Sequence, residues 1–383
     1  MLKQRLNVLA DAKLQVGSAA ILGTVVKLPL DRTWPIEEIL ICCDITAGGT
    51  PPSDFTAAGV LNLIKRIRLE VNDGRQPISA VDISGGGLLE YTAQEGLNLD
   101  PATLAVVAGQ NLATETLIAS NTYKIFYRIP LVHPLIQDPL RTRMLLAVNN
   151  HPQDPVLTLE FSTAAEMYAT GTLGAVLVDF LLVRKQISPE VNKSILDNGG
   201  YIVSDLVETP YIHGTGETGE KRYQISQPGQ YAGLQLRHFK GGAAVTRVDI
   251  SETVTAGSET RWRLESGLSV IREWRNKHLM ALNSYSRPLN HSSQVYSPAP
   301  GAQTTANQNF QNPASVFLDF IGDGISGNPI NELGSLLDCN LPANSGLKME
   351  IVGSIASVAT NGSSLHIAGR RYFGDLSRWQ ALA

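Results

Sequence analysis

A chain of 383 residues, 43% apolar and 17% charged, has material for two well-buried domains and too little charge to stay disordered. Its formal net charge of −4 removes any electrostatic basis for coating nucleic acid over the whole surface. Cys42 and Cys43 are adjacent and Cys339 is distant, a spacing that builds neither a metal motif nor a disulfide framework; buried reduced thiols in a reducing cytosol fit best.

The first sixteen residues put Leu2, Leu6 and Leu9 at helical spacing, with Lys3, Arg5 and Lys13 as cations and Gly17 as a stop. This predicts a short amphipathic helix over residues 1–18, either packed on its own domain or lying on an anionic membrane or partner; the sequence leaves both open. It lacks the continuous apolar stretch of a signal peptide.

Period-two alternation then takes over. In IKRIRLEV (64–71), Ile67, Leu69 and Val71 face away from Arg66, Arg68 and Glu70. GGLLEYTAQEG (86–96) reads as a helix, and the triple glycine of SGGGLLEY (84–91) as its tight lead-in. Further strands are expected in YKIFYRIPLV (123–132) and VLTLEF (156–161). The longest apolar run, LGAVLVDFLLV (173–183), carries Asp179 and is too short to cross a bilayer, which takes about 20 residues, so a soluble chain is expected. KQISPEVNKSILDNGG (185–200) is polar, ends in paired glycines and reads as a linker. Beyond it, YAGLQLRHF (231–239), SVFLDFI (315–321), GLKMEI (346–351) and SLHIAGRRYF (364–373) are expected strands. GLSVIREWRNKHLMAL (267–282) reads as a helix, with Leu268, Ile271, Leu279 and Leu282 near one face.

The chain also repeats itself. Leu145, Leu146 and Asn149 return as Leu336, Leu337 and Asn340, an offset of 191 residues. Leu157, Leu159, Glu160 and Phe161 return as Leu347, Met349, Glu350 and Ile351, at 190. A period of half the chain points to two copies of one domain, here 19–184 and 201–383 around the linker 185–200. Many short strands separated by turns make each copy a β-sandwich.

Chemistry is sparse. The seven histidines are scattered, with no H-x-H and no H-E-x-x-H, and there is no G-x-S-x-G elbow and no phosphate-binding loop. GDGISGNPINE (322–332) offers Asp323, Asn328 and Glu332 as oxygen donors, but at no calcium-loop spacing. The densest basic spots, KRIRLE (65–70) and GRRYF (369–373), fall on strand patterns and read as ion-paired faces, with no specific nucleic acid as partner. Carboxylate pairs of a glycosidase meet only in space, so letters alone neither name nor remove them. The expectation is a protein without cofactor or metal that is not an enzyme.

WPIEEILICCDITAG (34–48), NLIKRIRLEVNDGRQPISAVDISGGGLLEY (62–91), YKIFYRIPLVHP (123–134), TRMLLAVNNHPQDPVLTLEF (142–161) and NGGYIVSDL (198–206) together carry a resemblance. Their order of strands, turn and short helix resembles the double jelly-roll major capsid proteins of tailless icosahedral bacterial viruses with an internal membrane, the tectivirus and corticovirus type. The resemblance implies an all-β chain of two tandem eight-stranded jelly rolls, with a short N-terminal helix and a few short helices in the excursions. It implies a homotrimer of pseudo-hexameric outline that tiles an icosahedral shell, made in the host cytoplasm and placed in the virion. Partners would be neighbouring capsid trimers, penton and minor capsid proteins, and the internal viral membrane. Leu2, Lys3, Arg5, Leu6, Leu9 and Lys13 are the implied membrane or capsomer contacts. Excursions 97–121 and 283–313 are the expected trimer clasp and outer surface. The alternative is a two-domain jelly-roll carbohydrate-binding, adhesin or fibre protein, which would need exposed aromatic platforms; a third reading, a β-sandwich glycosidase or isomerase, would need converging acids. Aromatics are only 6% of the chain, and Trp34, Trp262, Trp274 and Trp379 are dispersed.

Overall fold

The computed structural model describes residues 5–9, 14–16, 21–55, 59–72, 77–94, 119–132, 140–217, 219–225, 229–240, 246–247, 261–266, 269–275, 315–320, 337–339, 349–355 and 363–373. The first half carries strands β1 (Arg5–Leu9), β2 (Leu14–Val16), β3 (Val25–Pro29), β4 (Ile36–Ala47), β5 (Ser53–Phe55), β6 (Ile64–Asn72), β7 (Pro77–Ile83), β8 (Thr122–Pro130), β9 (Val156–Phe161), β10 (Tyr168–Thr170) and β11 (Leu173–Lys185). Helix α1 (Gly85–Gln94) follows β7 and helix α2 (Pro189–Asp197) follows β11. The second half carries β12 (Val203–His213), β13 (Gly219–Gln224), β14 (Gln230–Lys240), β15 (Thr246–Arg247), β16 (Arg261–Ser266), β17 (Ser269–Arg275), β18 (Ser315–Asp319), β19 (Leu337–Asp338), β20 (Met349–Ile355) and β21 (Ser363–Phe373).

Alternation in the letters becomes alternation in burial. Ile39, Ile41, Cys43 and Ile45 of β4 are fully buried, while Leu40, Cys42, Asp44 and Thr46 between them are half-buried. Each buried Ile or Leu is worth about 1.5–3 kcal/mol over its exposed form.

The strands form two rolls of one topology. In the first, one sheet runs β1-β11-β4-β8, and the strands β3-β9-β6-β7 form the other. In the second, β12-β21-β14 with β18 and β19 answers the first set, and β13-β20-β16-β17 answers the other. Even the irregularities match. The pairing of β6 with β7 slips between Leu69 and Glu70, and that of β16 with β17 slips between Leu264 and Glu265. Buried Arg184 of β11 lies opposite Leu6, and buried Arg371 of β21 lies opposite Asp205.

This topology corrects two expectations. Residues 5–9 are not helix: they pair antiparallel with β11 from Arg5–Lys185 to Leu9–Leu181. The long β11 offers an edge of unpaired amides and carbonyls, and a five-residue strand satisfies them at the position that β12 fills beside β21 in the second roll. Residues 269–275 within the second expected helix are strand β17, because the edge of β16 recruits them. Propensity gives way to tertiary pairing at both places. The helix expected at 86–96 is present as α1, where Ser84 Oγ accepts the Gly87 amide proton at 3.2 Å. The stretch read as linker contains α2, capped by Ser188 and begun by Pro189.

The repeat is half in register. Leu146 bridges Ile36 at the start of β4, and Leu337 pairs with Tyr231 near the start of β14, so Leu146 and Leu337 are counterparts. Leu157 pairs with Leu69 beside one bulge, whereas Ile351 pairs with Leu264 beside the other. The counterpart of Leu157 is therefore Ile351 rather than Leu347. A period-two pattern slid by an even number of residues keeps its faces, so letters alone cannot set the register.

The rolls are fused. β7 of the first pairs in parallel with β12 of the second, Leu206 opposite Val81 and Val207 opposite Asp82, which makes one ten-stranded sheet. The apolar core of the first roll continues across this junction to Leu206, Phe317 and Ala368. A separate core, with Leu234, Leu264, Ile351 and Ile367, fills the second roll.

Candidate functional site

A buried polar cluster lies at the junction of the rolls. Glu208 of β12 is buried there and accepts hydrogen bonds from the Ser84 amide at 2.7 Å and from Arg237 of β14. Arg237 also donates to Ser84 Oγ at 2.7 Å, and His366 Nδ1 of β21 lies 2.8 Å from the same carboxylate. Burial alone would raise the Glu208 carboxyl, but the Arg237 charge and the His366 and Ser84 hydrogen bonds hold it well below its usual value of 4.5. Three strands of one roll are thereby tied to the α1 lead-in of the other.

Tyr91, one turn and a half into α1, completes the lock. Its hydroxyl accepts from the Arg370 amide at 3.0 Å and reaches the Gly233 carbonyl at 3.4 Å. Its ring meets Phe317 edge-on, with centroids 5.5 Å apart. The glycines of the lead-in have a second purpose here. A Cβ on Gly87 would sit 2.6 Å from the Arg237 guanidinium, and one on Gly85 would sit 2.5 Å from the Ile64 carbonyl oxygen. Reading SGGGLLEY as a helix lead-in missed this contact between rolls; the signal was three glycines where a turn needs one.

On its other side the His366 ring lies 3.2 Å, through Nε2, from Ser364 Oγ, so Glu208, His366 and Ser364 form a hydrogen-bonded row whose carboxylate is ion-paired with Arg237. Among the described residues no three His, Cys, Asp or Glu side chains stand together as a metal site. A small cleft in the second roll is walled by Tyr211, Tyr231, Gln224, Ile367 and Arg371, and Arg371 is held by a bidentate pair with Asp205. Other charges pair across strands in the manner expected of the basic spots: Arg66 with Asp82, and Arg128 with Glu38. Trp262 is buried and Trp34 half-buried, so neither forms the exposed platform of a glycan binder.

The surfaces offered to other molecules are sheet edges and faces. β1 ends one sheet and β17 ends another, each with one side unpaired among the described residues. Val25, Leu177, Val270 and Ile212 are exposed apolar side chains on strands, Ile212 at 84%. Of the six residues expected at a membrane or capsomer contact, Arg5, Leu6 and Leu9 stand together on β1, while Leu2, Lys3 and Lys13 lie outside the described residues. Excursion 283–313, the 322–332 loop and all but the end of excursion 97–121 also lie outside them. No helix among the described residues is long and apolar enough to cross a membrane.

No protein-family model matches the sequence, and no curated protein matches it. Solved structures do match in fold. A chain of the Sulfolobus turreted icosahedral virus superposes with a TM-score of 0.60 at 15% identity, over 97% of this chain and 92% of that one. A chain of the PBCV-1 virus capsid gives 0.57 at 11% identity, over 97% and 95%. The major capsid protein P2 of bacteriophage PM2 gives 0.50 at 10% identity, over 98% and 99%. The likeness runs from end to end in both directions, and the fold of this chain is the double jelly roll found in viral major capsid proteins.

Proposed function

We propose that the protein is a major capsid protein, a structural unit whose trimers tile an icosahedral virion shell. The observation that carries this reading is the end-to-end match of both rolls, in tandem and in one chain, to viral capsid structures. Two rolls locked by a buried polar cluster make a stiff block, and three such blocks present six similar corners. Stability then comes from fitted surfaces between chains, not from a bound cofactor, and the role is structural rather than catalytic.

The partners are two further copies in a homotrimer, neighbouring trimers, penton and minor capsid proteins, and an internal membrane. Arg5, Leu6 and Leu9 serve in this reading as part of a roll wall whose outer edge meets another capsomer subunit. Leu2, Lys3 and Lys13 add the apolar and cationic character suited to an anionic membrane surface. Native mass measurement of the purified chain, with electron microscopy of particles that contain it, tests the proposal. Trimers, and shells in which this chain is the most abundant protein, are expected; a stable monomer that enters no shell overturns the reading.

A further inference from the structure

We infer that β17 of one chain pairs in parallel with β1 of a second copy, repeating between chains the β7–β12 junction that joins the rolls within one. The inference rests on the trimer reading and specifies its interface. Strand by strand, β1 is the counterpart of β12, and β17 is the counterpart of β7. The internal junction uses the far edges of β7 and β12; the same two edges of β17 and β1 are unpaired among the described residues. Each roll therefore carries both halves of one joint, and the chain closes only one of the two joints it can make. A head-to-tail contact of this kind propagates from copy to copy until a ring closes.

The face beside β1 supports the same partner. On the second roll, the outer face of β14 and β21 lies against the first roll: Gln235, Arg237, Ala368 and Arg370 are all buried there. The counterparts on the first roll are Leu40 and Cys42 of β4 and Leu181 and Val183 of β11. These are only half-buried, and Phe126 beside them is half-buried as well. An apolar patch, bordered by the Glu38–Arg128 pair and by exposed Asp179, is thus half open where its twin is covered, and what covers the twin is an adjoining roll. The adjoining roll of a second copy fits that place and removes the face from water.

Register follows from the bulges. Asp82 pairs with Arg68 and Val81 with Leu69; Glu273 pairs with Arg263 and Arg272 with Leu264, next to the matching slip. On the other side, Leu206 lies opposite Arg370 and Asn7 lies opposite Val183. The internal contacts of Leu206 with Val81 and Val207 with Asp82 thus map to Asn7 with Arg272 and Val8 with Glu273 between chains.

The test mixes two singly substituted chains, Asn7→Cys and Arg272→Cys, and treats the assembled mixture with a short thiol-to-thiol cross-linker. Val8→Cys with Glu273→Cys is the second pair, each single variant alone controls for the native cysteines, and Asp82→Cys with Val207→Cys in one chain is the internal positive. Sizing before cross-linking reports the oligomer. Trimers, with covalent dimers from both mixtures and none from any variant alone, are expected. Leu40→Asp is expected to raise the monomer fraction about tenfold or more with the β-sheet spectrum unchanged, the loss of one buried apolar side chain. Trimers that cross-link at the internal pair but at neither mixed pair overturn the β17–β1 pairing and leave the trimer standing. Monomers overturn the trimer reading and the pairing together. Linked chains that run on beyond three copies support the pairing and overturn the closed trimer.

Discussion

The outer faces of the two corresponding sheets are dressed in opposite ways. On the second roll, the face formed by β14 and β21 is polar, with Gln235, Arg237 and Arg370 covered and His366 at its half-buried margin. On the first roll, the matching positions Leu40, Leu181 and Val183 form an apolar patch beside the Glu38–Arg128 pair and exposed Asp179, and the patch is half open. A contact made once, during folding, tolerates a buried charge that finds its partners as the chain folds, as Glu208 does with Arg237, Ser84 and His366. A contact made by encounter between chains gains more from an apolar face that loses water on docking. In the proposed assembly, one duplicated joint is closed by polar specificity inside the chain and by apolar adhesion outside it.

Substitutions can break that contrast at graded cost. Glu208→Ala leaves the Arg237 guanidinium buried without its carboxylate, and unfolding in denaturant should show a loss of about 3–5 kcal/mol. Gly87→Ala forces a methyl against Arg237 and Ser84, and a loss of about 1–3 kcal/mol is expected from the same measurement. Lys65→Ala removes an exposed cation paired with Glu166 at 2.8 Å, on the rim and away from the junction; its cost should stay below about 1 kcal/mol.

Acid sharpens the comparison. The folded Glu208 carboxyl titrates well below its unfolded value of 4.5, so its contribution is fully present above that value. The contribution is lost as pH falls through the folded value. Thermal midpoints should therefore hold from neutrality down to about 4.5 and fall below it, and Glu208→Gln should flatten that acid limb.

Much of the architecture was legible in the letters, for a physical reason. Alternation such as Ile67, Leu69 and Val71 against Arg66 and Arg68 reports one buried face and one polar face, and β6 has that form. The duplication was legible because Leu146 and Leu337 hold one structural position in each roll. What failed were features set by distant partners. RLNVL is too short to reveal that β11 will recruit it, and the leucine spacing around it also suits a helix. VIREWR carries charges that suit an exposed helix as well as an edge strand beside β16. The Ser84–Glu208–Arg237 lock joins Ser84 to residues more than a hundred positions away, and no local pattern announces it.

The most direct test of the account is electron cryomicroscopy of the purified, assembled protein at a resolution that traces strands. The account predicts a closed ring of three chains and six rolls, in which β17 of each chain runs parallel to β1 of the next. Single-chain particles, or a ring in which β1 of each chain touches no neighbouring strand, would contradict it.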